Sequence, residues 1–527
     1  MKITPLGNNQ YINRGKKQDN LSFKNSAALT NSMNFLNNQK IFGAFFVDLA
    51  SMVIPRTIID MSRTPEAGIE TARREASSSV LLAGVGLFGS LAALMLSPFL
   101  KNKYDVPLYK IEANNKTMDA FASAFSDAVN RVGSKDKPAL AKAYLRNIFD
   151  GISGDKMLNP AKEDIIDTMS KYLVESNDYI LSRDSQKNLF TKLVAYTGET
   201  DRIKMLAKNG ETIDIGAKAL IKDTYSMGRA FLQDKVLKEF KQADKIADNN
   251  FLKYLKKMTG KQTVIGLVLA SAVAMSMQPL NSWLTKKKTG KDGFSVVKGQ
   301  KSEKDKSFGF KALKGAASAG MAAFVVSTIG NLKQLPQKLQ FNGPVANVPQ
   351  LKVVYGMTII GRFLAARDKH ELRESVFRDF MGFANWLIIG GIVSKSVAYN
   401  LDKNLIKPES ISGKKGLKKY LSMEMKNHND LIYGSDYVKK SLRNGVDVSS
   451  LKMKDILRRI DEPTKKMIKK LNIAQLSGYI YSGVALGILL PIINKKLTQH
   501  IISKNSKQED NTQTIDPRRN EILSLKS

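Results

Sequence analysis

ARREASSSVLLAGVGLFGSLAALMLSPFLKNK, residues Ala72 to Lys103, decides how this chain is read. Gly84, Gly86 and Gly89 have the G-x-G-x-x-G spacing of a dinucleotide-binding loop. Such a loop needs a strand before it, a helix opening on the glycines and an acid about twenty residues further on. Here the glycines lie midway along an uncharged run from Val80 to Leu100, with Arg73, Arg74 and Glu75 before it and Lys101 and Lys103 after it. That run is long enough to cross a bilayer as a helix. The glycines are therefore expected to be packing surface, and the Arg-Arg-Glu before them is the better functional suspect.

Three further stretches read the same way: Thr263 to Thr285, Gly315 to Leu332 and Leu471 to Asn494 carry no charge. Phe380 to Leu401 is a fifth candidate, with Lys395 near enough to its end to snorkel to the interface. Two more apolar runs are interrupted. Ile41 to Asp60 contains Asp48, Pro55 and Arg56, and Leu351 to Ala366 contains Gly356, Gly361 and Arg362. These read as re-entrant or interfacial segments.

The sequence thus predicts an all-α polytopic membrane protein with about five transmembrane helices, two re-entrant or interfacial segments and one helical extramembrane domain. Residues 1–40 are a disordered basic tail, and 41–100 hold the first broken segment and first span. Residues 101–260 form the helical domain, with Asn159 and Pro160 opening one helix and Thr224 to Asp248 forming one long helix. Phe121, Phe125, Tyr144 and Phe149 are its expected core. The membrane region 261–400 carries the basic loop 285–314. Residues 401–472 are a basic helical segment, 473–494 the last span, and 495–527 a second disordered tail.

Charge sets the expected topology. The chain carries 83 Lys and Arg against 48 Asp and Glu, a net charge of +35. Residues 285–314 hold ten basic and three acidic side chains and 401–472 eighteen and nine, whereas 101–260 hold twenty-eight and twenty-two. Five spans place the N-terminus, the 285–314 loop and the 401–472 segment on one side, which the positive-inside rule makes cytoplasmic. The expected location is a bacterial cytoplasmic membrane, with the helical domain outside. The lysine-rich loop has no stacking module around Phe294, Phe308 and Phe310, so anionic lipid headgroups rather than nucleic acid are its expected partner.

The two broken segments lead into matching charged connections. Overlaid without gaps, Arg63 falls on Arg367, Glu70 on Glu374, Arg74 on Arg378 and Glu75 on Asp379. Interrupted hydrophobic segments at corresponding places in two halves point to a transporter's central site. With five spans the halves would be inverted. Arg56, Arg63, Arg74, Arg362, Arg367 and Arg378 then become candidates for holding an anion or lipid phosphate, with Glu75 and Asp379 as coupling carboxylates or ion-pair partners. The plainer role is structural: Glu70 with Arg74, and Glu374 with Arg378, have the i,i+4 order that steadies a helix end at headgroup level.

Gly315 and Gly320, and the G-x-x-x-G of Gly483 and Gly487, are expected to pack helices together within the chain first and between copies of it second. No catalytic motif appears. Cysteine is absent, and His370, His428 and His500 lack metal-ligand spacing. Neither a P-loop nor a G-x-S-x-G elbow occurs. The expectation is a non-enzymatic transporter or channel for a small anionic solute, without cofactor. Its alternative is a membrane-anchored scaffold or adaptor binding protein partners or anionic lipid through the helical domain and basic segments.

Overall fold

The structure, a computed structural model, describes residues 49–62, 64–152, 159–199, 202–243, 245–290, 305–443 and 453–514, together with 29, 30, 32, 33 and 45. It is nearly all helix. The framework is made of α1 (Ile54–Met61), α2 (Pro65–Ala83), α3 (Val85–Tyr104), α4 (Asn250–Thr289), α5 (Phe308–Ile329), α6 (Val348–Ala365), α7 (Lys369–Ala384), α8 (Gly390–Leu401), α9 (Glu462–Ser482) and α10 (Leu490–Thr514).

Two rods start alike. Thr64 caps α2 by accepting the Ala67 N–H, and Pro65 takes the first turn, where no N–H is needed. At the overlaid position Asp368 caps α7, accepting from the His370 and Glu371 N–H groups. Each rod is also irregular at the same place. Between α2 and α3, Gly84 turns its N–H to the Val80 and Leu81 carbonyls. Between α7 and α8 a π-turn runs from Asn385 to Ile389. The correspondence seen in the charges therefore extends to the helix caps and the helix breaks.

Each rod pairs antiparallel with a long partner. α4 lies along α2 and α3, with Gln262 Nε2 donating to the Gly89 carbonyl at 3.2 Å and Asn281 Nδ2 to Ser77 Oγ at 3.3 Å. α9 and α10, joined by a π-turn at Gly483–Leu489, lie along α7 and α8. There Lys470 pairs with Asp402 at 2.9 Å, and Asn494 Nδ2 donates to the Glu374 carbonyl at 3.2 Å. The helices preceding the rods cross over. Met52, just before α1, packs on Leu486 and Leu490 of the second half, whereas α6 packs on α4 of the first. A Cβ at Gly361 of α6 would sit 2.7 Å from the Met275 carbonyl oxygen, so these backbones meet directly.

The two rods run in the same direction. At their starts Glu70 lies in electrostatic range of Arg367 and Glu371, Lys314 Nζ caps the Leu364 and Ala366 carbonyls, and the Asp305 N–H meets the Arg367 carbonyl. At their far ends α3 leads into the domain before α4, and α8 leads into the segment before α9. Those two insertions touch, with Phe190 edge-on to Tyr433 at 6.3 Å. Thr30 joins them by accepting from Asn472 Nδ2 at 3.0 Å.

This corrects the expected topology. The inverted arrangement placed residues near 70 and 370 at opposite ends, and set the 401–472 segment and N-terminal segment apart from the helical domain. In the structure the starts of both rods share one end with the flanks of the basic loop, while 401–460 and Thr30 lie with the helical domain at the other. The halves are parallel. The charge counts failed because long inserted domains carry little topological signal.

Four described helices are long and apolar enough to cross a membrane: α3, α4, α5 and the continuous run Glu462–Ile501. The fifth expected span, Phe380 to Leu401, is divided between α7 and α8 by the π-turn.

The inserted domain, 105–249, has a core in which Phe121, Phe125, Tyr144 and Phe149 are fully buried. It is not wholly helical, since Arg202–Leu206 and Thr212–Gly216 form an antiparallel hairpin. The expected single helix from Thr224 to Asp248 is also broken. One helix ends at Phe231, another runs Asp234–Gln242, and a 3₁₀ turn covers Ile246–Asp248. The break turns Phe231 and Phe240 onto each other at 5.0 Å, and burying both rings outweighs helix continuity.

Candidate functional site

The RRE of α2 and the RD of α7 meet in the interior. α6 supplies Arg362 between them, and α1 supplies Arg56. Arg362 Nη1 donates to Asp379 Oδ1 at 3.0 Å, while its Nη2 reaches Glu75 Oε2 at 3.3 Å and Ser78 Oγ at 3.0 Å. One guanidinium thereby joins the two halves. Arg378 forks onto Asp379, with Nε to Oδ1 at 2.9 Å and Nη2 to Oδ2 at 3.3 Å. Arg74 Nη2 lies 3.2 Å from Glu75 Oε1, and Arg56 Nη1 lies 3.4 Å from Glu75 Oε2.

The cluster is dry. The side chains of Arg56 and Arg362 are 3% exposed, Glu75 8% and Asp379 1%. Isolated charges at such burial would cost several kcal/mol each, so the network holds only because guanidinium and carboxylate satisfy each other. Four guanidinia face two carboxylates in direct contact. Asp60 and Glu374 lie further out, within electrostatic reach of Arg74 and Arg378.

The i,i+4 pairs expected on the helix surfaces do not form. Arg74 and Arg378 turn instead to the acid that follows each of them, and Glu70 Oε2 and Glu374 Oε1 are buried without hydrogen-bond partners among the described residues. The cause is burial: both arginines point inward to the shared cluster, where a carboxylate is worth more than at the surface. Arg367 stands apart, bonded to Glu371 at 2.9 Å. Arg63 lies outside the described residues. Sequence reading missed Ser78, whose hydroxyl donates to the Arg74 carbonyl and so turns its lone pairs to Arg362. A serine one turn after an arginine gives no distinctive signal.

The glycines divide into two kinds. A Cβ at Gly86 would sit 1.9 Å from the Pro344 carbonyl oxygen, and one at Gly89 2.3 Å from the Phe341 ring, so both are sites of close approach. A Cβ at Gly315 or Gly320 would meet nothing within 4 Å among the described residues. In the last span the tight contact falls on Gly478, where a Cβ would meet Ser394 Oγ, while Gly483 and Gly487 lie in the π-turn.

Asp223 and His428 are among the titratable groups buried outside the bundle. Burial pushes the Asp223 carboxyl up to about 8, with Glu112 adding to the rise and Lys222 opposing it. His428 is lowered by burial, against the pull of its 2.7 Å hydrogen bond with Asn472 Oδ1. Among the described residues no three His, Asp or Glu side chains converge to hold a metal ion. No protein-family model, curated protein or solved structure matches the chain.

Proposed function

We propose that this is an integral membrane transporter for a small anionic solute, built from two parallel halves that meet at the Arg56, Arg74, Glu75, Arg362, Arg378 and Asp379 cluster. The observation that carries the reading is the placing of that cluster. It joins two like halves through one shared side chain, Arg362, beside rods that break at corresponding positions. Ionisable groups buried in a membrane bundle are costly and mark solute or ion pathways, and broken helices beside them expose backbone groups that a solute can use. π-turns likewise gather at functional sites.

In this reading the chain passes seven times between the ends of the bundle, α1 and α6 included. The lysine-rich end is cytoplasmic, because its connections are short and carry Lys286, Lys287, Lys288, Lys311 and Lys314. Those lysines lie against anionic headgroups, with exposed Trp283 and Phe308 at the same level. A bacterial cytoplasmic membrane is the proposed setting. Transport proceeds by exchange of guanidinium partners: an entering anion takes bonds from Glu75 or Asp379, loosens the Arg362 bridge and lets the halves move.

Flux in proteoliposomes tests this. Wild-type protein is expected to carry a small anion across the bilayer, and Arg74→Ala and Arg378→Ala each to reduce flux at least about tenfold while the protein stays inserted and folded. Flux absent from the wild type, or unchanged in both variants, refutes the reading.

A further inference from the structure

The two arginines brought in by α1 and α6 are not equally satisfied. Arg362 spends its two Nη groups on Asp379, Glu75 and the Ser78 hydroxyl. Arg56, also 3% exposed, keeps a 3.4 Å contact with Glu75, and its Nε and Nη2 are buried without a hydrogen-bond partner among the described residues. A buried guanidinium edge left open is costly, because its N–H groups have lost water and gained nothing.

The halves show what is missing. In the overlay that aligns Thr64 with Asp368 and Glu75 with Asp379, Ser78 falls on Gly382. Ser78 gives Arg362 an acceptor, whereas Gly382 gives Arg56 none. A Cβ built at Gly382 would lie 3.7 Å from Arg56 Nη2 and 3.7 Å from Tyr355 Oη, which is ordinary contact distance. There is thus room beside the open edge for the atom that the first half supplies as serine. Arg56 and Arg362 come from corresponding helices but stand two positions out of register, so the comparison rests on which groups meet rather than on matched arginines.

We propose that the Nε and Nη2 edge of Arg56, opposite Gly382, is an oxyanion subsite that takes one carboxylate or phosphate group. The edge presents two parallel N–H groups, the geometry that binds two oxygens of such a group together. A guest anion also suits a cluster in which four guanidinia touch two carboxylates. This deepens the transport reading by naming the solute's charged group, but binding at Arg56 can be measured without flux.

Full-length protein in phosphatidylcholine nanodiscs is titrated with sodium phosphate and with sodium acetate, against sodium chloride at matched ionic strength, and followed by thermal unfolding and calorimetry. The wild type is expected to bind phosphate or acetate saturably, with a rising melting temperature. Gly382→Ser is the decisive variant. Its hydroxyl takes Arg56 Nη2 as Ser78 takes Arg362, so the apo protein should melt no lower than wild type while its anion affinity falls about tenfold or more. Arg56→Gln should lose binding to a similar degree.

Discs containing phosphatidylglycerol separate a headgroup from a free anion. Melting that rises in those discs, with no further response to phosphate, assigns the subsite to lipid phosphate. Saturable binding in both disc types assigns it to a soluble anion. No saturable response to phosphate, acetate or phosphatidylglycerol, or wild-type affinity in Gly382→Ser, overturns the proposal. Binding without flux removes the transport reading alone. Flux that persists unchanged in Gly382→Ser removes the subsite and leaves transport standing.

Discussion

Arg362 is the residue on which the two halves depend. Replacing it with glutamine strands Glu75 and Asp379, which are 8% and 1% exposed, beside fewer cations. Breaking a buried ion pair from one side typically costs about 3–5 kcal/mol. Arg362→Gln is therefore expected to lower the melting temperature sharply, and adding Glu75→Gln to restore part of the loss, because the second change removes one of the stranded charges. Additive destabilisation in that double variant would show that the two side chains do not interact.

Asp223 gives a pH test away from the bundle. Its carboxyl is raised to about 8 in the folded protein, so the native state holds a proton that the unfolded state has lost above about pH 4. Stability from this group is full below that pH and falls as pH rises towards 8. Asp223→Asn should remove the fall: its gain in melting temperature over wild type should be near zero at pH 4 and grow to a plateau above pH 8. A gain independent of pH would contradict the assignment.

At this scale the sequence exposed the charged residues but not their partners. Arg56, Arg74, Glu75, Arg362, Arg378 and Asp379 stand out because charges beside apolar runs are rare. Helical spacing then suggested partners four residues away on the same helix. Arg74 and Arg378 pair instead with the acid that follows each of them, Arg56 and Arg362 reach in from other helices, and neither Ser78 nor Gly382 carries any local mark of its role.

Among the elements, glycines separate backbone contact from mere composition. Gly86→Ala would drive its Cβ to 1.9 Å from the Pro344 carbonyl oxygen, and a backbone atom yields little. A cost of about 1–3 kcal/mol is expected. Gly315→Ala meets nothing within 4 Å and replaces glycine by the best helix former, so it should leave stability unchanged or raise it by up to about 1 kcal/mol. Equal effects at the two positions, measured by chemical or thermal unfolding, would count against this packing.

The sequence did mark the hairpin in the inserted domain. Ile203 and Met205 alternate with Arg202 and Lys204, and Asn209 with Gly210 stands in the connection to the second strand, although the domain was expected to be helical throughout. Five-residue strands are easily lost among long helical patterns. The break after Phe231 was less legible, since no proline or glycine interrupts Leu232 to Gln242 and only the packing of distant rings calls for it.

For the whole molecule, helical content and long apolar segments follow directly from hydropathy, because a bilayer-length uncharged helix needs no tertiary information. The relation between the halves does not. Charge counts favoured an inverted pair, whereas contacts between segments hundreds of residues apart make the pair parallel. Among the described residues four helices have the length and apolarity to cross a membrane. The charged faces of α1, α6 and α7 are covered by segments distant in the chain, and the sequence hides those partners.

Because the chain has no cysteine, single introduced thiols report sidedness without background. Glu66→Cys, Lys287→Cys and Lys369→Cys lie at exposed positions at one end of the bundle, and Lys187→Cys and Lys439→Cys at exposed positions at the other. Labelling with a membrane-impermeant maleimide in oriented vesicles tests the parallel arrangement directly. The proposed membrane topology predicts that Glu66→Cys, Lys287→Cys and Lys369→Cys react from one side, and Lys187→Cys and Lys439→Cys from the other. Opposite sidedness for Glu66→Cys and Lys369→Cys would contradict it.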